Sequence, residues 1–267
     1  MTYALFLRRL RSHLPLLVVT LVAAAAFEVA VVSLIAAMDS GAGLRSLLTT
    51  VLPPGMQRLV FEQFGVGSFE GAVAFGFQHP IALIAAVALI AVVATVPAGE
   101  RESGLMDLLL ARPLPRERYL AASVALLVLA TVLVPLALLG GAAVGMALVD
   151  AAGELPWTRY VPAAAGLAAL LMVVSGYALL LGTVTRRRGT AVGWTVALSL
   201  LFYWLDLFAP FSDRLRTVRW LSPFSYYDPV RAAVGRGLGV RDPLTLLAAA
   251  VVLFALAFLS FRRRELE

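Results

Sequence analysis

AGERESGLMDLLLARPLPRERYLAA, residues 98–122, separates two long apolar runs and is dense in charge. Glu100, Arg101, Glu102, Asp107, Arg112, Arg116, Glu117 and Arg118 surround an oily block, Leu105-Met106 and Leu108-Leu109-Leu110. A solvated connector has no use for five such side chains, and a span cannot carry eight charges. The stretch therefore reads as a short amphipathic helix at the end of a helix bundle. Glu100 and Glu102 stand where a helix begins, favoured by the positive end of its dipole. Leu105, Leu108 and Leu109 recur at i, i+3 and i+4 on one face. Pro113 stops the helix, and Pro115 suits the first position of the next one. Its stripe has three possible neighbours: lipid headgroups, the ends of the spans, or a soluble partner.

The flanks decide the fold class. Hydrophobic residues make up 61% of the 267 and charged residues 14%, more apolar surface than a soluble domain of this length can bury. A helix needs about 20 apolar residues to cross a core roughly 30 Å thick. Six runs qualify, at about 14–38, 80–97, 119–149, 161–183, 190–210 and 244–261. The third is long for one span, so it projects beyond the bilayer or kinks at Pro135. The expectation is an all-α polytopic membrane protein, one transmembrane domain over 1–267, with six spans, a short cytoplasmic helix and short interfacial helices.

The first run follows Arg8, Arg9 and Arg11 but is too long for the apolar core of a signal peptide. It reads as a retained span with its amino end in the cytoplasm. Leu5, Leu7 and Leu10 among those arginines suit a short helix in the inner headgroup layer before the chain turns into the bilayer; a plain positive flank is the simpler reading. Six spans then place both termini inside. The proposed inner segments 1–13, 98–118, 184–189 and 262–267 hold 13 arginines in 46 residues, the outer segments 9 in 85. That bias follows the positive-inside rule. Residues 211–243 resist it with six arginines; an odd span count would bring them inside but expel Arg262, Arg263 and Arg264.

Several chemistries are excluded. The chain has no cysteine and no lysine, so it offers neither thiolate ligands nor the lysine of a GxxxxGK[ST] phosphate loop. His13 and His79 are isolated, which predicts no metal site and no cofactor. Nothing calls for a nucleic-acid partner. Glu28, in AAAAFEVAVV near the middle of the first span, is the exception: an acid there costs about 2.5–3.5 kcal/mol on insertion scales. It faces either a substrate path or a neighbouring helix that hydrogen-bonds it. Asp206, near a span end among Tyr203, Trp204 and Phe208, reaches the outer interface. Ala137, Gly141 and Gly145, and Gly189 with Gly193, have the spacing of close helix contacts, within the chain or at a dimer seam. Trp220, Phe224, Tyr226 and Tyr227 suit an interfacial helix on the outer side.

Gly99-Glu100-Arg101-Glu102-Ser103-Gly104-Leu105-Met106-Asp107-Leu108-Leu109-Leu110-Ala111-Arg112-Pro113-Leu114-Pro115-Arg116 resembles the GExExGTLDLLLxxPLxR pattern of the membrane subunit of ABC transporters of type 2. It lacks the usual Thr after the second Gly and has Pro115 where Ser is common. Leu221-Ser222-Pro223-Phe224 before the last span and Arg262-Arg263-Arg264-Glu265-Leu266 after it resemble the family's carboxyl end. The resemblance implies a permease subunit without its own ATPase site, exporting a small amphiphile such as a drug, antibiotic or lipid-like molecule. It implies an interface with a separate ABC ATPase at Glu100, Arg101, Glu102, Gly104, Leu105, Asp107, Leu108 and Leu109. A second permease copy, identical or related, and the lipids of a prokaryotic plasma membrane complete the expected partners. Two other classes stay open: an ion-coupled secondary transporter with Glu28 as proton or cation site, and a non-catalytic membrane assembly factor.

Overall fold

The computed structural model describes residues 2–37, 68–106, 115–150, 156–234 and 241–263, with 46, 49–53, 57 and 239. Among these residues the secondary structure is helical throughout, with no strand. Six helical stretches are long and apolar enough to cross a membrane: Tyr3–Ala37, Phe69–Ala94, Glu117–Leu148, Trp157–Val184, Arg188–Phe211 and Arg241–Arg263. The chain is an all-α polytopic membrane protein.

Helix α1 runs unbroken from Thr2 to Ala37 with Pro15 inside it. The expected turn between a headgroup helix and the first span is absent, and the two are one rod of about 54 Å. The cause is lateral. Leu5 and Arg9 are buried against neighbouring helices, so the first turns dock on the bundle and stay in line with the span.

The second span begins earlier than its apolar run suggests. Ser68 caps α2 (Phe69–Gly76) by accepting the Gly71 N–H. The chain then breaks at Phe77–His79, and His79 caps α3 (Pro80–Ala94), where Pro80 occupies the first turn without needing a donor. The break sets helix α2 apart from α3, and α2 packs on α1 and on Pro229–Ala233. A second break at Thr95 precedes α4 (Val96–Glu102). Gly104, at φ +70°, ends this unit in the left-handed region that glycine adopts without strain.

Helix α5 (Arg116–Leu148) continues through Pro135. Helix α6 (Val161–Val184), entered through a 3-10 turn at Trp157–Tyr160, is the axis of the bundle and touches α3, α5 and the helices that follow it. Helices α7 (Arg188–Phe208) and α10 (Arg241–Arg263) are the last two spans. Among the described residues between them lie α8 (Asp213–Val218), three 3-10 turns, and α9 (Pro229–Ala233), capped by Asp228. The hydroxyl of Ser222 donates to the Phe202 carbonyl at 2.8 Å and accepts the Phe224 N–H, which ties the Ser-Pro-Phe turn to the end of α7.

The most extensive helix pair is α1 with α5. A side chain on Gly141 would press on Ala25 and Glu28, and one on Gly145 would lie 2.8 Å from Val32 Cβ. These small residues therefore serve packing within the chain. Gly189 and Gly193 have nothing within 4 Å of an added Cβ and lie on the open side of α7.

Candidate functional site

The acidic entrance of the quoted stretch sits on α4, not at the start of a new helix. Glu100 and Glu102 occupy the last turn of α4, where their own helix dipole does not favour them; the compensation comes from other helices. Glu100 Oε2 accepts from Arg9 Nη2 at 2.9 Å and from the Tyr119 hydroxyl. Glu102 Oε2 accepts the backbone N–H of Arg188 at 2.9 Å, so its charge meets the amino end of α7, where an anion is favoured. Arg101 between them donates to the carbonyls of Thr183 and Thr185 at 3.2 and 3.0 Å. Those carbonyls close α6 and have no partner within the helix to continue to. Three consecutive side chains thus reach α1, α5, α6 and α7.

Arg9 is the hub of this end. Its side chain is 3% exposed, and it donates to the Tyr119 carbonyl at 3.1 Å and to the Ser123 hydroxyl as well as to Glu100. Its guanidinium stands 4.4 Å from the centre of the Tyr119 ring, whose other neighbour is Phe261 of α10, stacked at 5.4 Å. Arg188 donates to the Val92 carbonyl at 3.0 Å, joining α7 back to α3. A cavity of about 470 Å³ opens beside this network, lined by Arg8, His13, Glu102 and Arg188 among others. Beyond the Gly104 turn, Leu105 is half-buried and Met106 fully buried. Asp107, Leu108 and Leu109, with the rest of the oily block through Leu114, lie outside the described residues.

Glu28 occupies a different setting. It is wholly buried, and among the described residues neither carboxyl oxygen has a hydrogen-bond partner. A methyl group on Gly76 would overlap the carboxyl, and one on Gly141 would lie 2.9 Å from Glu28 Cβ. The neighbouring helix expected to bond the acid is present, but it presents glycine. The hydroxyls of Tyr160 and Tyr227 are likewise buried without a partner. Burial pushes the Tyr227 hydroxyl well above its ordinary range, and the charges of Glu28 and Asp228 push it further the same way.

Near the far end of α7 from Arg188, Asp206 accepts from Arg219 Nε at 2.7 Å. The pair lines a cavity of about 200 Å³ together with Tyr203, Tyr227, Asp228 and Arg231. Arg216 pairs with Asp213 at 3.3 Å, so among the described residues of 211–243 both Arg216 and Arg219 have acidic partners. Among the described residues no three His, Asp or Glu side chains converge as a metal set.

Sequence reasoning read Arg9 only as part of a positive flank and Tyr227 only as an interfacial aromatic, and gave no site role to Tyr119, Tyr160 or Arg188. For Arg9 a signal existed. Leu5, Arg9, Leu17, Thr20, Ala24, Glu28, Val32 and Ile35 are the buried positions of α1, and their spacing of three and four is a helix face. For the tyrosines, which act across distant segments, no local pattern exists.

A family model described as ABC-2 family transporter protein matches residues 6–266. No curated protein and no solved structure matches the chain.

Proposed function

The chain belongs to the ABC-2 transporter family, and from that membership we propose that it is the permease subunit of an ATP-driven exporter of a small amphiphile. Members of this family are multi-pass membrane subunits that work with an ABC ATPase. In our reading the segment 98–112 is the coupling helix: Glu100, Arg101, Glu102, Gly104, Leu105, Asp107, Leu108 and Leu109 meet the ATPase. ATP is hydrolysed by that separate subunit.

One observation carries the reading: the three charged residues of α4 are bonded to four spans at once. A load applied just beyond Gly104 is passed to α1, α5, α6 and α7 together, as an alternating-access pathway requires. In a surface loop, charges so placed would face water. Both termini and this network face the cytoplasm in our reading, in agreement with the arginine bias. A second copy of the chain, or a related one, completes the pathway; our choice for the seam is the open side of α7, where Gly189, Gly193, Trp194, Leu201 and Trp204 are exposed. Preference for an amphiphile rests on the apolar groove of about 400 Å³ between α3 and α7, which has Tyr203 beside Leu83, Val87 and Leu200.

Co-expression with its ATPase tests the docking. Leu108→Asp with Leu109→Asp puts two charges on the oily stripe, and the ATPase should no longer co-purify while the permease still inserts. Retention of the ATPase at wild-type stoichiometry would remove this segment from the interface.

A further inference from the structure

The cavity of about 470 Å³ beside the Arg9 network lies between the first turns of α1, helix α4 and the amino end of α7. Arg8, Arg9 and Arg188 line it together with Glu100 and Glu102. Both acids are engaged: Glu100 with Arg9 and Tyr119, Glu102 with the backbone N–H of Arg188. Two of the arginines are not. The Arg188 guanidinium reaches only a neutral acceptor, the Val92 carbonyl at 3.0 Å. The Arg8 side chain is exposed and has no hydrogen bond or ion pair among the described residues.

Two guanidinium groups without acids on one cavity favour an anion, and their forked donors suit phosphate oxygens. A basic pocket between the ends of spans is a setting that holds anionic headgroups. The wall along α1 says where the anion comes from. Arg8 and Ser12, both on the cavity, stand four residues apart, and the same helix face continues through Leu16 to Val19. Leu16 and Val19 are exposed and lie within the apolar stretch long enough to cross the membrane. The face passes from cation to hydrocarbon in the order in which a phospholipid beside a helix presents headgroup and chain. Free phosphate has no use for the apolar half, and a zwitterionic headgroup would bring a cation of its own to the two arginines.

We propose that this cavity holds the phosphate of one anionic phospholipid between Arg8 and Arg188, with an acyl chain along Leu16 and Val19. The site does not rest on ATPase docking, and it is tested on the chain without that subunit.

The test counts lipids retained by the full chain in detergent, by native mass spectrometry, during titration with phosphatidylglycerol or phosphatidylcholine. One phosphatidylglycerol should bind about tenfold more tightly than phosphatidylcholine, and millimolar inorganic phosphate should not displace it. Arg8→Ala is compared with Arg187→Ala, since Arg187 is exposed at the same end of α7 as Arg188 but does not line the cavity. Both variants remove one charge from this end, so general attraction to acidic lipid falls alike in both. Arg8→Ala should weaken the first phosphatidylglycerol about tenfold more than Arg187→Ala does. Because Arg8 bonds to nothing among the described residues, its loss leaves the fold standing. Equal losses in the two variants, or no preference over phosphatidylcholine, would reduce the site to surface attraction and overturn it. Displacement by inorganic phosphate would overturn the lipid as occupant in favour of the free anion.

Discussion

Arg9 and Glu28 lie on the same helix and the same buried face, nineteen residues apart, and their surroundings are opposite. Arg9 has three acceptors and an aromatic ring; Glu28 has glycine on two sides and no protein partner among the described residues. A buried charge with several bonds holds helices in one relation, because losing any bond strands the charge. A buried acid without bonds holds nothing by itself. One end of α1 is thus built to transmit, and its middle is built to respond to whatever neutralises Glu28.

That contrast can be broken outright by sidedness. Single cysteines at Ser103 and Gly189 should react with a membrane-impermeant thiol reagent only from the cytoplasmic side, and one at Ser212 only from outside; the cysteine-free background makes each signal unambiguous. Labelling of Ser212 from the cytoplasm would put both ends of the contrast on one side. Next in size is Arg9→Ala, which leaves Glu100, 14% exposed, without its cation; it should cost about 3 kcal/mol, as for other buried pairs that lose one member. Arg9→Lys keeps the charge but not the fork, and should recover only part of that loss.

The other end is sharpened by Gly76→Ala. The new methyl collides with the Glu28 carboxyl, an overpacking expected to cost about 1–3 kcal/mol. Combined with Glu28→Ala the penalty should largely vanish, a coupling that a double-mutant cycle in detergent unfolding would measure. Glu28→Gln alone should change stability by less than about 1 kcal/mol. A loss as large as that of Arg9→Ala would mean that Glu28 is bonded after all. The smallest effect belongs to Arg216→Ala, whose pair with Asp213 is exposed on both sides; about 0.3 kcal/mol or less is expected.

The spans were legible because apolar length is written locally in the chain. Where the sequence misled, polar residues had been assigned by neighbourhood. Phe69–Gly76 holds Glu70 and two glycines and precedes the apolar run, yet Ser68 caps it and five of its residues are buried. Glu100 and Glu102 looked like the start of a helix because acids favour that place; they are stable at the end of α4 only because Arg9, Tyr119 and the amino end of α7 come to them. A headgroup helix turning into the first span was the expectation at the amino end, and docking of Leu5 and Arg9 keeps that segment in line with the span. The interface expected at Asp107, Leu108 and Leu109 remains a reading of sequence. Glu28 was singled out by its type, but Gly76 and Gly141, which wall its carboxyl and Cβ, come from positions 48 and 113 residues further along, and only folding brings them near.

The unbroken course of α1 has a mechanical consequence. The rise between Arg9 and Glu28 is about 28 Å, so the helix is a lever with its handle at the Arg9 end. If the rod pivots near Arg9, a tilt of about 5° moves Glu28 sideways by about 2.4 Å over that length, enough to lift a carboxyl off a glycine wall. Pro15, which lies between them and omits one rung of the hydrogen-bond ladder, is where such a lever gives. Stiffness at that residue therefore sets how much of a stroke applied at Arg9 arrives at the acid.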